Sequence, residues 1–163
     1  APWLRVASVA GLSLAAALMS ALIFFGGPPS YVDLAVASHR VAQMRAHMHS
    51  QIEATALDAR EILARTHIDL PHLPANWHIT DVQLFPTAKG PALLVAVRTD
   101  EGQTLSIFAL RQKSDAPERP DAVREGPQSV AYWRRGDMSY ALTGEADPHA
   151  IDKTAEALAK SWL

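Results

Sequence analysis

The sequence predicts an α+β fold: one N-terminal transmembrane helix, then a small domain with an antiparallel sheet of about five strands packed by helices. Three observations carry this. Val6–Phe25 is a 20-residue run with no charge, no Asn or Gln and no proline. From Trp77 onward the apolar residues alternate, the period of a strand with two different faces. On either side of that stretch they recur at three- and four-residue steps, the period of a helix.

The apolar run is the first element. At about 1.5 Å per residue, a helix of this length spans roughly the 30 Å hydrocarbon core of a bilayer. A helix also satisfies its own backbone there, which lipid requires. Leu12, Leu14, Leu18, Leu22, Ile23, Phe24 and Phe25 supply the transfer energy, and Gly26-Gly27-Pro28-Pro29 ends the helix. A core helix would show a polar face, and here only Ser8, Ser13 and Ser20 are polar. A cleaved signal peptide has a shorter apolar core, and an interfacial helix needs a charged face. The run therefore reads as a membrane span that contacts the lipid bilayer through residues 6–25. Ala7, Gly11 and Ala15 share one face at four-residue spacing, a weak dimer-seam signal in so alanine-rich a run. Arg5 precedes the run, and the first cation after it is Arg40. The positive-inside rule then puts the N-terminus in the cytoplasm and residues 26–163 outside, in a bacterium the periplasm. The organisation is residues 1–25 for flank and span, 26–30 for a Gly/Pro hinge, and 31–163 for an extracytoplasmic domain.

Composition excludes some functions. The 163 residues carry 15 Lys and Arg against 17 Asp and Glu, a net charge of −2. Nothing in that balance suggests a nucleic-acid-binding patch. There is no cysteine, hence no disulfide and no thiolate metal site. The chain starts at Ala1 without an initiator Met, which reads as a fragment of a longer protein.

The remaining elements follow in order. Tyr31–Glu53 reads as an amphipathic helix, with Leu34, Ala37, Val41, Met44, Met48 and Ile52 inward. Asp33, Arg40, Gln43, His47 and Gln51 form its polar side. Asp58 caps a shorter helix with Ile62 and Leu63 inward. Ile68–Pro74 is extended, because residues before proline avoid the helical region. Trp77–Phe85 is a strand with room for a bulge, its alternation running through Trp77, Ile79, either Asp81 or Val82, and Leu84. Ala92–Arg98 and Thr104–Arg111 form a hairpin around Asp100-Glu101-Gly102. Gln112–Pro127 is a polar loop, with room for a short strand near Ala122–Arg124. Ser129–Arg135 and Met138–Gly144 pair around Gly136-Asp137. Asp147 and Pro148 open a last helix with Ile151, Ala155, Leu158 and Trp162 inward. This order suggests a sheet with its helices on one side.

Few residues suggest chemistry. Met44, His47 and Met48, at i, i+3 and i+4 of the expected helix, form a thioether–imidazole set suited to a soft ion such as Cu(I). The same methionines also fit the apolar stripe, so the reading without a metal is preferred and no cofactor is expected. No Gly-x-Ser-x-Gly, no His-Glu-x-x-His and no glycine-rich phosphate loop after a strand occurs. An enzyme is not expected. Trp77, Tyr132, Trp133 and Tyr140 suit a core better than a ligand pocket. Arg135-Gly136-Asp137 reads as turn chemistry.

Four segments together carry a likeness: QMRAHMHSQIE, EILARTHIDLPHLPANWHITDVQLFP, GPALLVAVRTDEGQTLSIFALR and VAYWRRGDMSYALTGEADPHAIDKTAEALA. In this order, after a single span, they resemble the extracytoplasmic half of proteobacterial single-pass transmembrane anti-sigma factors, over nearly all of residues 31–163. The resemblance implies an inner-membrane regulator of transcription. A cytoplasmic segment, absent from this sequence, would hold a sigma factor. The outer domain would sense or transmit an envelope signal, with a regulatory protease as a further partner. Two other classes stay open: an accessory subunit of a larger membrane complex, and a periplasmic metal sensor using Met44, His47 and Met48.

Overall fold

The computed structural model describes residues 27–162. The expected span at Val6–Phe25 lies outside them. Among the described residues, no helix is long and apolar enough to cross a membrane. The elements are α1 (Tyr31–Arg45), α2 (Ala59–Thr66), β1 (Trp77–Thr87), β2 (Gly90–Thr99), β3 (Thr104–Leu110), β4 (Asp121–Glu125), β5 (Gln128–Arg135), β6 (Met138–Gly144) and α3 (Pro148–Ala159).

The strands form one antiparallel sheet in the order β1-β2-β3-β6-β5-β4. Two three-stranded meanders thus meet edge to edge, β3 beside β6, with Phe108 opposite Ala141. The α+β class holds. The sheet has six strands rather than about five, because Asp121–Glu125 pairs with β5 as an edge strand. It turns at Gly126, where φ is 63°. The tight connection at Gly136-Asp137 likewise needs a positive φ, 61° at Gly136.

Helices cover both faces of the sheet, which corrects the one-sided expectation. β2 explains why: Ala92–Val97 is buried along its whole length, as a strand covered on both sides must be. Leu93, Val95 and Val97 join Trp133, Tyr140 and Leu142 in one core, closed by Ile151, Ala155 and Leu158 of α3, by Ile68, and by Ile62 of α2. Ala92, Leu94 and Ala96 join Phe108, Val130, Tyr132 and Ala141 in a second core, closed by α1.

α3 follows its sequence. The Asp147 carboxylate accepts from the Ala150 N–H at 3.1 Å, with Pro148 in the first turn. Trp162 lies beyond the helix end and packs on Tyr140, ring centroids 5.5 Å apart, with the Arg135 guanidinium 4.1 Å from its ring. α2 is capped as expected, by Asp58 accepting from the N–H groups of Arg60 and Glu61. Leu63, expected inward, is exposed.

α1 departs from its sequence in two ways. It ends at Arg45 instead of running to Glu53, and its buried face is the opposite one. Tyr31, Val32, Ala35, Val36, Ser38, His39 and Ala42 face the sheet. Leu34, Val41, Met44, Met48 and Ile52 are 36, 41, 63, 44 and 86% exposed, and Ala37 is exposed with them. Both faces carry apolar residues at three- and four-residue steps. The sheet selects the face with small residues, which allows close approach, and with polar groups that find partners across it.

Candidate functional site

The seat of α1 on the sheet concentrates the polar chemistry of the domain. At its start, the Tyr31 hydroxyl is buried and donates to the backbone carbonyls of Tyr140, at 2.8 Å, and Trp133, at 3.3 Å. Burial pushes its pKa up, so it stays a donor. At mid-helix, the fully buried His39 places Nδ1 2.6 Å from the Ser106 hydroxyl of β3. Among the described residues, its Nε2 has no partner, and neither does the buried Thr143 hydroxyl on β6, the residue paired with Ser106. Burial lowers the His39 pKa to about 4, with Arg40 also lowering it and Glu145 opposing. His39 is therefore neutral at physiological pH.

At the helix end, Arg45 Nε donates to the Asp81 carboxylate at 3.1 Å, with the Asp81 side chain 3% exposed. Arg45 also donates to the Gln51 side chain and to the Ile52 carbonyl, both at 3.0 Å. Asp81 accepts from the Ala54 N–H and the Gln83 amide, again at 3.0 Å. These bonds tie Gln51, Ile52 and Ala54 to the Arg45–Asp81 pair, beyond the end of the helix. A bulge makes the bridge available. The β1–β2 register skips Thr80 between Ile79 and Asp81. Ile79 and Val82 thus pack into the α3-side core, while Asp81 pairs with Ala96 and turns toward α1. The bulge therefore assigns the open Asp81-or-Val82 choice to Val82.

Beside this bridge lies a cleft of about 270 Å³ lined by Gln43, His47, Glu53, Asp81, Arg98 and Ser106 among others. It mixes both charge signs. Ser106 and His39 are a hydroxyl and an imidazole in contact, but among the described residues no carboxylate bonds the second ring nitrogen to orient it as in a triad. The pair fastens α1 to the sheet.

Met44, His47 and Met48, the residues singled out for chemistry, sit at the C-terminal end of α1 and just beyond it. Met44 lies in the last turn of α1, whereas His47 and Met48 follow the helix end. The backbone keeps turning there, with the His47 and Met48 N–H groups donating to the Met44 and Arg45 carbonyls at 3.1 and 2.9 Å, and His47 Nδ1 lies 2.8 Å from the Gln43 carbonyl. Among the described residues, no group of three or more His, Cys, Asp or Glu could hold a metal ion. Trp133 and Tyr140 stack at 5.4 Å in one core, while Tyr132 belongs to the other. Arg135-Gly136-Asp137 is the β5–β6 turn.

Sequence reasoning missed His39 and the Arg45–Asp81 bridge. A signal for each was present. Tyr31, Ala35, His39 and Ala42 form a second helical stripe, and Asp81 is a charge inside a strand pattern.

No family model matches the chain, and no curated protein matches it. Among solved structures, the MucA/MucB complex of Pseudomonas aeruginosa contains a similar chain, with a TM-score of 0.41 and 20% sequence identity. The match covers 58% of this chain and 33% of that one. At that level it carries no argument about this chain.

Proposed function

We propose that this chain is the anchor and extracytoplasmic domain of an anti-sigma factor, which passes an envelope signal to a cytoplasmic segment preceding Ala1. The order of the four resembling segments supports the family. The observation that carries the mechanism is the seat of α1. Only residues 26–30 separate the apolar run from a helix fastened to the sheet at its start, middle and end.

A ligand or partner that prefers one arrangement of α1 on the sheet shifts the balance between two states. Through the short hinge, that shift reaches the membrane span. The output is exposure of a protease site or release of a sigma factor. Residues 6–25 hold the chain in the bacterial inner membrane, with the domain in the periplasm. The reading is non-enzymatic and needs no cofactor.

The test is a pull-down of the complete, membrane-extracted protein from its native cells, with the bound partners identified. A single sigma factor held by the segment before Ala1 is expected. A stable multi-subunit membrane assembly without one would replace this reading with that of an accessory subunit. A second test inserts flexible residues at Gly27. Signal-dependent transcription should become uncoupled, and an unchanged response would reject α1 as the relay.

A further inference from the structure

The outward face of α1 carries apolar residues that no other described element covers. Leu34, Ala37, Val41 and Met44 form a stripe at alternating three- and four-residue steps, and Met48 continues it past the helix end. The opposite face is spent on the sheet.

The length of chain outside the helix identifies what covers it. The apolar run ends at Phe25, and five residues, 26–30, lead to Tyr31. Fully extended, five residues reach at most about 18 Å. The start of α1 is therefore held within that distance of the point where the run leaves the bilayer. The polar headgroup zone itself occupies several ångströms of it. A helix whose free face is Leu, Val and Met, tethered this close, meets lipid before anything else. Tethering makes the encounter intramolecular, at high effective concentration. Asp33 and Arg40 border the stripe on the helix, and His47 lies just past its end.

A second copy fits less well. A stripe about 15 Å long on a helix about 10 Å wide offers on the order of 150 Å² per copy. Stable dimers bury roughly 800 Å² per partner.

We propose that the outward face of α1 rests on the lipid surface from which the apolar run emerges, so that the domain is docked to the membrane as well as tethered to it. This rests on the membrane reading above. The seated helix then lies between sheet and lipid, and a change at either face alters its hold on the other.

The absence of cysteine allows a direct test on the full chain. Single Leu14→Cys, Met44→Cys and Lys153→Cys variants, labelled with an environment-sensitive fluorophore, are reconstituted in phosphatidylethanolamine/phosphatidylglycerol vesicles. Lys153 is an exposed position on α3, on the other side of the sheet. The expected result is that the Leu14 and Met44 probes are both quenched by lipid-borne quenchers. The Met44 probe should also be at least threefold less accessible to iodide than the Lys153 probe. A Leu14 probe in lipid with a Met44 probe as accessible as Lys153 overturns the docking and leaves the membrane reading standing. A Leu14 probe outside lipid overturns both. A Met44 probe shielded from iodide but not quenched from lipid, with Met44→Cys chains cross-linking to each other, replaces lipid by a second copy. Val41→Cys repeats the measurement should the Met44 variant fold poorly.

Discussion

α3 and α1 lie on opposite faces of one sheet and are held there by different means. α3 inserts Ile151, Ala155 and Leu158 into a core of Trp133, Tyr140 and Leu142, and its start is fixed by the Asp147 cap. α1 brings mainly small side chains to its face, and Ser30 before it makes no side-chain cap bond. Val32, Ala35, Val36 and Ala42 pack into the second core, and polar bonds are added to them: Tyr31 to two carbonyls, His39 to Ser106, Arg45 to Asp81. An apolar seat is insensitive to orientation detail and to pH. A polar seat depends on geometry and protonation, so it has discrete alternatives. That difference suits α3 to holding the domain together and α1 to transmitting a change.

The comparison can be broken or sharpened by measurement. The largest effect belongs to α3. Leu158→Ala, fully buried, should lower stability by about 3 kcal/mol in urea unfolding. A loss below about 1 kcal/mol would mean that α3 is not the structural anchor.

Next comes the response of α1 to acid. The folded His39 pKa is about 4, below the ordinary value of 6.5. Between those values the unfolded chain holds a proton that the folded one does not, so stability falls as pH drops through this window. The full difference is about 3 kcal/mol, reached near pH 4. His39→Gln should flatten that segment of the stability–pH curve, whereas Leu158→Ala should shift the curve without changing its shape. Equal slopes in wild type and His39→Gln would remove His39 as the titrating latch.

The caps give a smaller contrast. Asp147→Ala should cost about 1 kcal/mol, and Ser30→Ala only a few tenths, because only the first removes a bond. Smallest is the outward stripe. Met44→Ser should change stability in detergent-free buffer by less than about 0.5 kcal/mol, since the residue is 63% exposed. A larger loss would show that this face is covered within the domain itself.

Much of the fold could be read from the chain. β6 has the expected bounds, β2, β3 and β5 lie within two residues of theirs, and the turns at Gly102 and Gly136 and the caps at Asp58 and Asp147 sit where the sequence indicates. The orientation of α3 was legible because only one of its faces is apolar. α1 was misread for the converse reason. Its two faces both show the helical period, and the more hydrophobic one, with Leu34, Val41 and Met44, is the one left outside. The candidate site was less legible still. His39 looked like one of seven scattered histidines, and nothing local to it points to Ser106, 67 residues away.

The sequence by itself determined where the chain bends, where it extends and where helices start, because caps, turns and strand periods are set by bonds and contacts within a few residues. Only the tertiary structure decided which face of α1 is buried, that helices cover both sides of the sheet, and that Asp81 points toward Arg45. The physical reason is that a helix with two apolar faces packs by either, at similar gain in buried area. The choice then falls to polar groups that must not be buried unpaired, and their partners, Ser106, Asp81 and the carbonyl of Tyr140, arrive from distant parts of the chain.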